Sequence, residues 1–220
     1  MADFHTIKQV SLRSGSAKSS RGKTLFQKQG TLDGACGAYS VTMALKILGQ
    51  VNAEQIAEGE KGDSVEQNKF LKAINNRGLY PNGLSTNEVV KIVNEIFIKK
   101  AEAQPYYFKK FKKEDKFIQR MVDTLDNDCP VMLSFYYPKG KDNEGGHWVV
   151  AVGYEYDEQD EVNKLLLLDP SGEEPSMAPW NAYIKLNEKK AGKYVHRYVR
   201  TNDNCAIRLG DAIGLFIPEE

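Results

Sequence analysis

The sequence predicts an α+β fold, and three observations carry the prediction. Apolar residues recur with a helical period through the first half; short strand-like runs follow Cys129-Pro130; and the two kinds of segment are grouped rather than alternated. At 220 residues the chain can bury one substantial core. The simplest division is a leader over residues 1–24 and a single domain over 25–220.

The leader is read from its composition. Ser11, Ser14, Ser16, Ser19 and Ser20 stand among Arg13, Lys18, Arg21, Lys23 and Lys28 with no acidic residue, which predicts a solvated, poorly ordered arm. The same composition also suits an address for transit or specialised export.

Four helical patterns precede a fifth near the middle of the chain. Val41, Ala44, Leu45 and Leu48 lie at i, i+3, i+4 and i+7, so one stripe of the first helix is buried, and Gly49 ends it. Cys36 falls at or just before its first turn. Further helices are predicted near Ala53 to Glu60, Ser64 to Asn76 and Thr86 to Lys99, the last capped by Thr86 and buried through Val89, Val90, Val93, Ile96 and Phe97. Glu114 to Asn127 turns Phe117, Met121, Val122 and Leu125 inward. The five later runs, Val131 to Tyr137, His147 to Tyr156, Leu165 to Leu168, Tyr194 to Arg200 and Ala212 to Ile217, predict a mostly antiparallel sheet. Asp157 to Lys164 is then a polar hairpin connection.

Composition removes several functional classes. The 30 basic and 30 acidic residues balance, so overall charge gives no reason to expect nucleic acid or a membrane surface as a partner. The basic and aromatic run Tyr106 to Lys113 is diluted by Glu114 and Asp115 and reads as an element edge. Cys36, Cys129 and Cys205 are widely spaced and odd in number, against a disulfide framework or a zinc site, and no metal or cofactor is expected. Without an apolar run near 20 residues or a hydrophobic leader, the expected location is cytoplasmic, or outside the cell by a non-classical route.

The chemistry-bearing residues are few. A helix N-terminus and a nearby imidazolium lower a thiol's pKa, so Cys36 followed by Gly37 is a candidate nucleophile, with its own N–H available to an oxyanion. His147 opens the apolar run His-Trp-Val-Val-Ala-Val after the turn-forming Asn143-Glu144-Gly145-Gly146, which places it at a strand end facing a cleft, as a general base requires. If Leu165 to Leu168 returns antiparallel to that strand, Asp169 arrives beside His147 and can hold its second nitrogen. Gln29, seven positions before Cys36, can supply an oxyanion-hole amide; Gln27 is the alternative.

These residues carry a family resemblance. The order Gln29, Cys36-Gly37, His147-Trp148-Val149-Val150 and Asp169-Pro170 resembles the papain-like cysteine peptidases, more closely their bacterial C39-like branch. The likeness spans about residues 25 to 172, matching by length and helical character alone between Cys36 and His147. One departure is the glutamine, which that family places six before the cysteine, where this chain has Gly30. The resemblance implies a helical subdomain carrying Cys36 packed against a sheet carrying His147 and Asp169, and a Cys-His-Asp cysteine peptidase acting on a protein or peptide. The same fold also serves glutamine deamidases and acyl transferases that modify partner proteins, as a delivered effector would, and non-catalytic binding modules that have lost Cys or His.

Overall fold

The computed structural model describes residues 3–30, 34–52, 64–76, 83–141, 143–189 and 191–219. The helix expected near Ala53 to Glu60 lies outside these residues. Helix α1 (Cys36–Ile47) runs through the interior, with ten of its twelve residues buried, and ends at Gly49, whose φ of +72° favours glycine. Helix α2 (Val65–Asn76) and helix α3 (Thr86–Ile96) pack against each other. Ser85, rather than Thr86, caps α3: its hydroxyl accepts from the Glu88 N–H while the Glu88 carboxylate accepts from the Ser85 N–H. Helix α4 (Glu114–Asp126) buries the four residues its period predicts.

The strands are β1 (Phe4–Thr6), β2 (Val10–Arg13), β3 (Ser16–Ser19), β4 (Glu102–Tyr106), β5 (Val131–Pro138), β6 (Glu144–Tyr156), β7 (Val162–Leu168), β8 (Ala182–Lys185), β9 (His196–Arg200) and β10 (Asp203–Phe216). Strands β5 to β10 pair antiparallel in the order β6-β5-β10-β9-β8-β7, and β7 returns to β6, so the sheet closes into a ring. Closure removes the open edges that an unbounded sheet would present. Strand β4 joins β10 and β1 joins β6, each antiparallel.

Four differences from the sequence reading have physical causes. The leader is folded: β1 extends the main sheet, β2 and β3 form a hairpin, and Ile7, Val10, Ala17 and Leu25 are buried. Those few apolar residues, spaced among serines, suffice to anchor it. Residues Glu144 to Gly146 are strand rather than turn, and Gly145 is required because a Cβ there would lie 2.3 Å from Tyr137 Cζ. Strand β10 begins nine residues before Ala212, its alternation masked by Asp203, Asn204 and Arg208. In the basic run the rings of Phe108 and Phe111 turn toward the core, edge-on to Phe117 at 5.1 and 5.3 Å, while Tyr107 bonds Asn87 at the surface. Among the described residues no helix is long and apolar enough to cross a membrane.

Candidate active site

Among the described residues, nothing acidic lies at the positive end of α1. Its N-cap, Ala35, offers no side-chain acceptor, and no acidic residue lies in the first turn. Cys36 occupies that position, half-buried, with Sγ 4.0 Å from the Gly34 carbonyl oxygen. Gly37 permits the close packing behind it, since a Cβ there would meet Leu84 Cβ at 3.1 Å and Trp148 Cδ1 at 3.3 Å. The Trp148 indole N–H donates to the Leu84 carbonyl at 2.9 Å and locks that wall.

Strand β6 brings His147 to Cys36. His147 pairs with Phe135 on β5, whose ring meets the imidazole edge-on at 5.4 Å. Because Val150 pairs with Leu168, the chain leaving β7 carries Asp169 back along β6, as the hairpin argument required. His147 Nε2 lies 2.6 Å from Asp169 Oδ1, which leaves Nδ1 as the ring nitrogen for the thiol.

Asp169 is fully buried and held on every side. Its Oδ1 also accepts from the Ser171 N–H at 2.9 Å and the Ser171 hydroxyl at 2.8 Å. The Tyr198 hydroxyl donates to Oδ2, and Arg200 Nη1 stands 3.6 Å from the same oxygen. Arg200 also donates to Ser171 Oγ and to the Ser171 carbonyl, both at 2.7 Å. Asn181 fixes the backbone, accepting from the Asp169 N–H at 2.7 Å and donating to its carbonyl at 2.9 Å.

These contacts set the charges. Burial works against ionisation of Cys36, but the hydrogen bond and charge of His147 outweigh it and hold the thiol below its ordinary value. Burial likewise opposes a proton on His147, and Asp169 with Cys36 overcomes it, pushing the imidazole up to about 10. Asp169, despite its burial, is held well below the usual carboxylate range by His147, Tyr198 and the Ser171 N–H. Burial and the neighbouring Asp169 push the Tyr198 phenol far up, so it remains a donor. Each of Cys36, His147 and Asp169 is thus biased toward its charged form by its neighbours.

Two hollows flank the pair. One, of about 470 Å³, is lined by Cys36, Leu84, Thr86, Ser134, Trp148 and Asp211; the other, of about 320 Å³, by Gln29, Tyr137, Ser171, Tyr198 and Arg200. His147 borders both. The Gln29 N–H donates to the Pro170 carbonyl at 2.8 Å, tying the glutamine segment to the chain just beyond Asp169. Its side-chain oxygen is buried without a hydrogen-bond partner among the described residues. Gln27 is buried and absent from that wall.

Cys36, His147 and Asp169 therefore meet, and Gln29 borders the same space. Tyr198, Arg200, Ser171 and Asn181 were missed; a usable signal was the two-residue spacing of Tyr198 and Arg200, which puts them on one face of β9. Among the described residues no group of three or more His, Cys, Asp or Glu could hold a metal ion.

A family model described as the Peptidase_C39 like family matches residues 22–202. The chain is also similar to the structure of active wild-type Prevotella intermedia interpain A cysteine protease, at 12% identity, with 86% of each chain covered and a TM-score of 0.45. No curated protein matches the sequence.

Proposed function

Since the chain belongs to the Peptidase_C39 like family, we propose that it is a cysteine peptidase in which Cys36, His147 and Asp169 work as a triad on an amide bond of a protein or peptide. The observation that carries this reading is the imidazole of His147, bonded at 2.6 Å to a buried carboxylate on one nitrogen and coupled to the Cys36 thiol on its other side.

The Cys36 thiolate attacks the scissile carbonyl carbon, and the carbonyl π electrons move onto oxygen. The resulting oxyanion is met by the Cys36 N–H at the uncapped helix start and by the Gln29 side-chain amide. His147, as imidazolium, gives its proton to the leaving nitrogen as the C–N bond breaks, which leaves an acyl group on sulfur. Neutral His147 then takes a proton from water, hydroxide attacks the thioester, and Cys36 departs as thiolate with the proton back on the ring. Asp169 keeps the ring oriented throughout and does not itself take up the proton.

The test combines two measurements on wild type and Cys36→Ala. Iodoacetamide near neutral pH should alkylate Cys36 ahead of Cys129 and Cys205, whose thiols burial pushes up. Proteome-wide N-terminal labelling should then report new termini that require Cys36. Equal alkylation of the three cysteines would refute the activated thiol. Intact partner proteins that gain mass without fragments would replace hydrolysis of the chain with deamidation or acyl transfer at the same thiol.

A further inference from the structure

The 470 Å³ hollow beside Cys36 carries one carboxylate that the proposed chemistry does not use, that of Asp211. Its placement is specific. Strand β10 pairs Leu209 with Phe135 and then Ala212 with Leu133, so Gly210 and Asp211 together oppose Ser134 in a β-bulge. Gly210 is required there, because a Cβ would lie 2.4 Å from Ser134 Oγ, and that hydroxyl donates to the Asp211 carbonyl at 2.9 Å. The extra residue re-aims the strand and sets Asp211 in the wall that also holds Cys36 and His147.

The carboxylate is satisfied only by neutral donors. Thr86 Oγ1 donates to Oδ2 and the Phe108 N–H to Oδ1, both at 3.0 Å, and no cation pairs with Asp211 among the described residues. Two nearby positive charges are already engaged. The N-terminus of α3 faces the Glu88 carboxylate in its capping box, and Arg208, stacked 4.1 Å over the Tyr136 ring, is bound by Glu144 at 2.9 and 2.8 Å. The remaining described residues of the hollow are neutral apart from the Cys36–His147 pair, whose charges offset each other. The hollow therefore presents a half-buried anion to whatever enters it.

Resting on the peptidase reading, we infer that this hollow is a specificity pocket for a cationic side chain of the substrate, arginine or lysine, whose charge pairs with Asp211. Each carboxylate oxygen keeps a free lone pair for that purpose, and the partly desolvated site strengthens the pairing relative to open water. Thr86, Ser134 and Tyr136 also line the hollow, where the aliphatic stem would lie.

The test uses pairs of peptidyl acyloxymethyl ketones identical except for arginine or its uncharged isostere citrulline, placed at the first or the second residue from the electrophile. The rate of Cys36 labelling is read by intact mass. At one position arginine should label about ten- to a hundredfold faster, the range that a hydrogen bond to a charged group contributes. That ratio should shrink as salt is raised and fall toward one in Asp211→Asn, which keeps the size of the side chain and an acceptor for Phe108. A ratio near one in wild type at both positions overturns the inference, as does a ratio that survives in Asp211→Asn. Should that variant fail to fold, the wild-type ratio and its salt dependence decide. Labelling with the arginine preference but no cleavage of any peptide would sink hydrolysis alone; no labelling by any probe would sink both.

Discussion

His147 and His196 lie on strands of the same closed sheet, the first half-buried and the second buried, each beside a carboxylate, yet their second ring nitrogens have different partners. His147 Nε2 meets Asp169 at 2.6 Å, and its other nitrogen is left for the Cys36 thiol in the cleft. His196 Nε2 stands 3.0 Å from Glu114, and its Nδ1 accepts the Asn187 N–H at 3.1 Å. The Asn187 N–H takes one nitrogen of His196, and the other faces the Glu114 carboxylate without an aligned hydrogen bond, away from any cleft residue. A buried histidine–carboxylate pair is therefore not enough for chemistry; what matters is whether one nitrogen still faces a reacting group.

Substitutions can break that contrast. The largest expected effect is from His147→Ala, which should cut hydrolysis by about 10⁴-fold or more and remove the preference of iodoacetamide for Cys36. His196→Gln should instead lower stability by about 1–3 kcal/mol, seen as a reduced melting temperature, and leave Cys36 alkylation within about twofold. If His196→Gln also abolishes the Cys36 preference, the distinction between the two histidines is wrong. Asp169→Asn should lower kcat by up to about 10⁴-fold while retaining the fold, because an amide on Nε2 permits the wrong tautomer. Gln29→Ala should cost about 10²–10³ in kcat through its oxyanion donor, and Gln27→Ala far less.

The pH dependence sharpens the comparison on the His147 side. Alkylation of Cys36 should fall as pH drops through the lowered thiol value, because the thiolate gains a proton. Toward alkaline pH, alkylation should persist, since it needs only the thiolate. Hydrolysis should decline as pH rises through about 10, because His147 then loses the proton that it must give to the leaving amine. Coincident alkaline limbs would show that His147 is not the acid. Among the residues around the pair, a smaller effect is expected from Tyr198→Phe. Removing that donor leaves one oxygen of a buried carboxylate under-satisfied, at about 1–3 kcal/mol of stability, with kcat reduced about tenfold and KM little changed.

Particular residues explain what the sequence disclosed. Cys36 and Asp169 stand at element ends, marked by a helix start and an Asp-Pro pair, and His147 opens the apolar part of β6 after two glycines, so their meeting follows from one antiparallel pairing. Tyr198 lies in the middle of β9 and Arg200 at its end, where an alternating Tyr and Arg look like ordinary sheet residues until the ring closes and turns one face toward Asp169. Helices α1 to α4 and five strand runs are legible through their periods. Strands β4 and β8 were not, because Pro105 interrupts one and the other has only four residues, too short for a period to register. Closure of the sheet was hidden as well, since it depends on β10 reaching both β9 and β5, and half of β10 is too polar to stand out.

The separation of sulfur and imidazole also bears on how the enzyme comes into being. Strands β5, β6 and β7 can pair through neighbouring segments, whereas Cys36 arrives on a helix from the other half of the chain, a long-range contact that forms slowly. Until that docking, the sulfur keeps the ordinary reactivity of a peptide cysteine, about pKa 8.5. The lowered thiol value is thus a property of the folded chain alone, since its cause, the contact with His147, exists only once the two halves have docked.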